Sequence, residues 1–150
     1  MSRPWWFVVL IPAMVSFAWS TSPNFERQFR SDDAVAGDEF GRSVSIDGTL
    51  GIVGAPLRDE ADPDSGAAFI FDITTGQQLR KLIPNDPAAE DVFVMSVAIQ
   101  GNRAIVGALH DDDHGTSSGS AYIFDVNTGQ QLHKLTASDA SAGDEFGVSV

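Results

Sequence analysis

Cysteine is absent from the 150 residues. That excludes disulfides, cysteine nucleophiles, thiolate metal sites and lipid attachment through sulfur, and the fold must rest on its core or on its neighbours. Basic residues are scarce: nine Lys and Arg stand against twenty-one Asp and Glu, a formal net charge of −12. Such a field repels phosphate backbones and anionic lipid, which argues against nucleic acid as a partner. The acidic surplus favours divalent cations or basic ligands, although solubility alone explains it. Long apolar runs are also few. The one that stands out is Trp5 to Trp19, fifteen residues interrupted by Pro12, which is short for a membrane-spanning helix of about 20 residues. With Arg3 before it and Ala18-Trp19-Ser20 at its end as a cleavage site, it has the outline of a secretory signal peptide over residues 1–20. Cleavage there sets a mature N-terminus at Thr21 and a secreted or cell-surface location; an uncleaved signal anchor is the alternative. No stretch beyond it has helical periodicity. Phosphate-cradling glycine loops and nucleophile elbows are missing too, and paired carboxylates occur only in loops. A non-catalytic protein is the expectation.

What is present is a repeat. Phe40, Phe93 and Phe146 are spaced by 53 residues, and Gly54/Gly107, Gly66/Gly119, Phe71/Phe124 and Gly76/Gly129 keep that interval. Residues 38–90 align on 91–143 without a gap, and 26 of the 53 positions are identical. Asp144 to Val150 repeats Asp38 to Val44 at all but one position. The register also runs backwards: Arg27, Phe29, Asp33 and Ala36 stand opposite Arg80, Leu82, Asp86 and Ala89. Residues 21–37 therefore read as the end of a preceding unit, 38–90 and 91–143 as whole units, and 144–150 as the start of a third.

Each unit resolves into four short strands. In the first they are Ser43 to Ile46, Gly51 to Ala55, Ala67 to Asp72 and Gln78 to Ile83. Asp47-Gly48 is the expected tight turn between the first two, because Asp and Gly tolerate positive φ. Four strands in about 50 residues is the size of a propeller blade, a sheet that must stack on its neighbours to bury both faces. The fold class expected is all-β, with blades of four antiparallel strands in an incomplete ring. Phe40, Phe69 and Phe71 are the expected packing groups between blades.

Phe40-Gly41 followed by Gly54-Ala55-Pro56 resembles the FG-GAP repeat, named for those clusters, and Ser118 to Asp125 is similar to the third strand of its secreted bacterial members. The resemblance implies the propeller blades of integrin α-subunit heads and an adhesion or binding scaffold, with a protein or glycan ligand at the blade-end loops. The second unit departs from it, reading Phe93-Val94 and Gly107-Ala108-Leu109. So does the place of the family's calcium loop, which here holds only Asp47-Gly48 and Gly101-Asn102. Two complete units do not close a ring, so further repeats are expected from a longer protein rather than from several chains. A second resemblance, of Asp72 to Gln77 and Asp125 to Gln130 to the Asp-x-x-Thr-Gly hairpin of quinoprotein repeats, implies an extracellular propeller enzyme, quinone-dependent or hydrolytic, as the alternative. Leu79 and Leu132 stand where that family places a docking Trp.

Two loops hold the candidate metal ligands. Asp59, Asp62 and Asp64 follow the second strand of the first unit, and Asp111, Asp112 and Asp113 lie in the equivalent loop of the next. Clustered carboxylates are hard oxygen donors suited to calcium. Only Asp59 and Asp112 align, and a solvated acidic loop is the plain alternative. His110 and His114 have zinc-like spacing, but in a loop rather than on the helix that the motif needs.

Overall fold

The computed structural model describes residues 28–150, so the expected signal peptide and its cleavage site lie outside the described residues. The chain forms eight strands: β1 (Val44–Asp47), β2 (Leu50–Ala55), β3 (Ala67–Asp72), β4 (Gln78–Leu82), β5 (Phe93–Gln100), β6 (Arg103–Ala108), β7 (Ser120–Asp125) and β8 (Gln131–Leu135). They make two four-stranded antiparallel sheets in sequence order, β1-β2-β3-β4 and β5-β6-β7-β8. Among the described residues there is no helix, and the two sheets do not close a ring.

The first strand starts and ends one residue later than the pattern suggests, and the turn moves with it. Asp47 pairs with Leu50, so the two-residue loop is Gly48-Thr49 rather than Asp47-Gly48. Gly48 has φ 58° and Thr49 is not among the positive-φ residues. Positive φ at the first loop position alone is the requirement of a type II′ turn, where Gly leads. The second unit does the same: Gln100 pairs with Arg103 and Gly101 has φ 54°. Asp47 is thereby left as a strand residue, and its Oδ2 accepts a hydrogen bond from the Gly101 N–H at 2.6 Å, tying one turn to the next.

Alternation along the strands decides which face meets what. On the first sheet Ile52, Ala68, Ile70 and Leu82 form one face, fully buried under the second unit. Against them lie Phe93, Val94, Val97 and Ile99 of β5, with Val106, Tyr122 and Phe124 behind. This core between the sheets is the largest apolar cluster. The other face of the first sheet carries Phe69 and Phe71, covered by Phe29 and Phe40 from the segment before β1. Ring centroids stand 5.4 Å apart for Phe29–Phe71 and 5.7 Å for Phe40–Phe69. Phe93, Tyr122 and Phe124, the equivalents of Phe40, Phe69 and Phe71, meet edge-on at 5.5 and 5.9 Å, now between sheets.

Candidate functional site

The two clusters of the repeat motif meet at the seam between sheets, and they come from different units. The Phe93-Val94 backbone of the second unit crosses the Gly54 and Gly66 backbone of the first. A Cβ on Gly54 would stand 2.9 Å from the Val94 carbonyl oxygen, closer than van der Waals contact permits, so only glycine admits this approach. Ser43 Oγ donates to the same carbonyl at 2.7 Å. One period on, Phe146-Gly147 lies over Gly107 and Gly119, and Ser96 Oγ donates to the Gly147 carbonyl at 2.8 Å. The crossing residue has φ 94° at Gly41 and 87° at Gly147, but 77° at Val94. A β-branched residue there is an outlier costing on the order of 1–3 kcal/mol. Its side chain is fully buried in the core between the sheets, which offsets that strain.

The loop joining β2 to β3 is held by charge. Arg58, 8% exposed, pairs with Asp38 at 2.7 Å and with Glu60 and Asp33 at 2.8 Å each. Lys81 on β4 reaches Asp33 at 2.5 Å and Glu60 at 2.9 Å, and lies over the Phe69 ring. Lys81, by hydrogen bond, and Ser31 hold the Asp33 carboxyl down at about 2. Burial pulls the Arg58 and Lys81 pKa values down, but the surrounding carboxylates outweigh it and both are raised.

The second unit rebuilds this strut with one reversal of sign: Asp111 replaces Arg58 and Tyr122 replaces Phe69. Lys134 pairs with Asp111 and Asp86 at 2.8 Å and with Asp113 at 2.6 Å. Tyr122 donates its hydroxyl to Asp111 at 2.8 Å. Burial raises the Asp111 carboxyl, but Lys134 and Tyr122 bring it below its ordinary value. Asp91, the equivalent of Asp38, has lost its arginine. Its Oδ2 accepts the Ala88 N–H at 3.1 Å. Burial and then the Asp111 charge push its pKa up to about 6.

The six candidate calcium ligands are not brought together. Asp111 and Asp113 hold Lys134, Asp59 Oδ1 accepts the Asp64 N–H at 3.0 Å, and Asp112 Oδ1 accepts the Ser117 N–H at 2.7 Å. Among the described residues no group of three or more His, Asp or Glu side chains is placed to hold a metal ion. Neither the Asp59, Asp62, Asp64 set, nor the Asp111, Asp112, Asp113 set, nor the His110 and His114 pair forms such a group among the described residues. The strut residues Arg58, Lys81, Glu60 and Lys134 were missed at the sequence level. The signal that could have found them is the 53-residue recurrence of Asp33/Asp86, Asp38/Asp91 and Lys81/Lys134.

The Asp-x-x-Thr-Gly hairpins have a local structural explanation. Asp72 Oδ1 accepts the Thr74 N–H at 2.7 Å, the Thr74 hydroxyl at 2.6 Å and the Thr75 N–H at 3.1 Å. Asp125 does the same for Asn127 and Thr128. These are Asx turns, which close the third strand onto the fourth.

Stacked four-stranded antiparallel sheets in a 53-residue period define a repeat protein of the propeller-blade class. The FG-GAP repeat model matches residues 24–71, 77–124 and 130–150, and the chain belongs to that family. The family unit starts 53 residues apart each time, in a phase that begins before the outer strand of one sheet and ends in the third strand of the next. Among solved structures, Sqt1 of Saccharomyces cerevisiae is similar at 13% identity, covering 67% of this chain and 21% of its own, with a TM-score of 0.45. BamB of Moraxella catarrhalis is similar at 20% identity, covering 65% and 24%, with a TM-score of 0.44. The chain thus spans about a quarter or less of either protein. No curated protein matches the chain.

Proposed function

We propose that the chain is a secreted or cell-surface binding scaffold without catalytic activity, in which the loops at one end of the blades carry the contacts with a protein or glycan. The observation that supports this is the pair of ion-pair struts. Lys81 and Lys134 each clamp the loop between the second and third strands of their sheet onto its fourth strand. Residues 57–66 and 109–119 are therefore presented in a fixed shape at the same end of the stack. The buried charges are committed to holding these loops, and the acidic residues left outside, among them Asp59, Asp62, Asp64 and Asp112, face a ligand. Belonging to the FG-GAP family supports the scaffold role.

The test is a panel of glycans and cell-surface proteins probed with the chain and with a variant in which residues 59, 62, 64 and 112 are Ser. Binding that the variant loses, while its circular dichroism and melting temperature hold, is the expected outcome. Saturable turnover of a hydrolase substrate or reduction of a dye through a quinone would replace this reading with an enzymatic one. N-terminal sequencing of exported material should begin at Thr21; material beginning at Met1 removes the cleaved-signal part of the proposal.

A further inference from the structure

The connector between the two units, residues 83–92, runs past both of the loops presented at the end of the stack. Its Glu90 N–H donates to the Pro63 carbonyl of the first loop at 3.1 Å. Its Asp91 carbonyl accepts the His110 N–H of the second loop at 3.4 Å. Asn85 to Glu90 are exposed or half-buried, and Asp91, 8% exposed, is the residue that this stretch turns inward. How the Asp91 carboxylate is received therefore decides how the connector sits.

The first unit fastens the equivalent stretch with a cation. Arg58, in the loop after β2, pairs with Asp33 and Asp38 and donates to the Asp33 carbonyl at 3.0 Å. The second unit keeps both carboxylates, as Asp86 and Asp91, but has Asp111 where the arginine stands. Lys134 holds Asp86 near the connector's start, and its other two partners are Asp111 and Asp113. Among the described residues no ion pair reaches Asp91, whose carboxylate accepts the Ala88 N–H of its own turn. A buried carboxylate without a cation is costly when ionised and much less so when protonated. The backbone adds to the imbalance. Glu90, Val92 and Val94 have φ of 65°, 49° and 77°, where the first unit has Gly37, Glu39 and Gly41. Burial of Val94 anchors the end of this stretch in the core. Glu90 is exposed and Val92 only half-buried, so letting go of them relieves left-handed strain.

We infer that residues 85–92 are a pH-sensitive latch joining the two presented loops, seated while Asp91 carries a proton and released when it gives that proton to water. Asp111 and Asp112, from the β6–β7 loop, oppose its ionisation, and Lys134, from β8, favours it. The contact from the first sheet is the Pro63 carbonyl, which carries no charge. The His110 side chain, on the same loop as Asp111, is exposed; its imidazole is the other proton acceptor that the experiment must separate. Released, Asp91 is solvated and titrates near 3.8; seated, burial and then Asp111 raise it to about 6. Seating is therefore strongest below about pH 4, weakens as pH rises from there toward 6, and is constant above. Lys134 holds the β6–β7 loop to β8 throughout, and what is lost is the link between that loop and the first one. That this link sets the spacing of two ligand-facing surfaces rests on the scaffold reading above; the latch itself does not.

The experiment is amide hydrogen exchange on the full chain without ligand, in EDTA, from about pH 4.5 to 8, with each rate divided by its intrinsic rate at that pH. In the parent, protection of residues 85–92 and 109–112 should fall by roughly tenfold or more between pH 4.5 and 7 and then stay level. Residues 32–38 and 57–60, held by Arg58, should not change, and β6 should stay protected. Asp91→Asn should keep the latch seated at every pH. Asp111→Arg combined with Tyr122→Phe rebuilds the first unit's set and should do the same with Asp91 ionised. His110→Gln should behave as the parent does. Circular dichroism checks that each variant folds, and Asp91→Asn alone decides if the double variant does not. A parent without the fall overturns the inference. So does a fall shared equally by β6, one that persists in Asp91→Asn or in the folded double variant, or one that vanishes in His110→Gln. Because no ligand is present, failure to find a binding partner leaves this result standing, and the reverse also holds.

Discussion

The exchange of Arg58 for Asp111 shows how one residue resets a site that otherwise repeats. In the first unit Asp38 faces a guanidinium at 2.7 Å; in the second, Asp91 is buried near another carboxylate instead. A carboxyl whose pKa is raised to about 6 in the fold binds its proton more tightly there than in the unfolded chain, where it titrates near 3.8. Its contribution therefore grows as pH falls from above 6 toward 3.8 and is lost as pH rises through 6. Above pH 6 the ionised Asp91 destabilises the second sheet, by up to roughly 2–3 kcal/mol given about 1.4 kcal/mol per unit. The other charged groups around it are Asp111, Asp112 and Lys134, with Lys134 the cation that moderates the effect. Asp91→Asn keeps an acceptor for the Ala88 N–H and removes the charge. Chemical denaturation should show it more stable than the parent at pH 8 by about 1–2 kcal/mol, with the difference vanishing near pH 4.5. A constant difference across that range would show that Asp91 does not titrate as inferred.

At the level of elements, the seam explains why the motif is written in two separated clusters. Phe-Gly supplies a backbone that turns through positive φ, and Gly-Ala-Pro supplies the flat strand on which the next unit's backbone rests. Gly54 lies in ordinary strand conformation, so its requirement is one of space, set by the Ser43 hydroxyl of its own sheet and by Val94 across the seam. Gly48 is the opposite case, with φ 58° and open space where a methyl group would stand. Gly48→Ala should therefore cost about 1 kcal/mol, the price of a left-handed L-residue. Gly54→Ala must push the second sheet away from the first and should cost roughly 2–4 kcal/mol. Denaturation midpoints of the two variants distinguish space from conformation; equal losses would mean that the seam yields. Most of this level was legible in the sequence. The period fixed the number and order of strands, since apolar alternation and turn glycines recur at one interval. The turn was misplaced by one residue because Asp-Gly and Gly-Thr both present a glycine, and only pairing of Asp47 with Leu50 decides between them. The struts were not legible, because an ion pair such as Lys81–Glu60 joins residues 21 apart that only the hairpin brings together. In the second acidic loop, likewise, sequence shows Asp111 and Asp113 but not the Lys134 that pairs with both.

For the whole molecule, the repeat makes equivalent positions unequal according to what lies outside them. Ile52 and Ile105 have the same neighbours within their sheets: Ile52 pairs with Ile70, and Ile105 with Ile123. Yet β5 covers Ile52 completely, while Ile105 borders the open groove. A carboxylate at Ile52 would be trapped between two sheets with no cation in the apolar cluster around it. Ile52→Asp should cost roughly 3–5 kcal/mol, enough to unfold a domain of ordinary stability. At Ile105 the same carboxylate can turn toward water and toward Arg103 at the groove's rim, and the loss should stay under about 1 kcal/mol in dilute solution. Melting curves at low micromolar concentration separate the two. Equal destabilisation at both sites would mean that the second sheet's outer face is covered by the rest of the chain, and that Ile105 does not border open solvent.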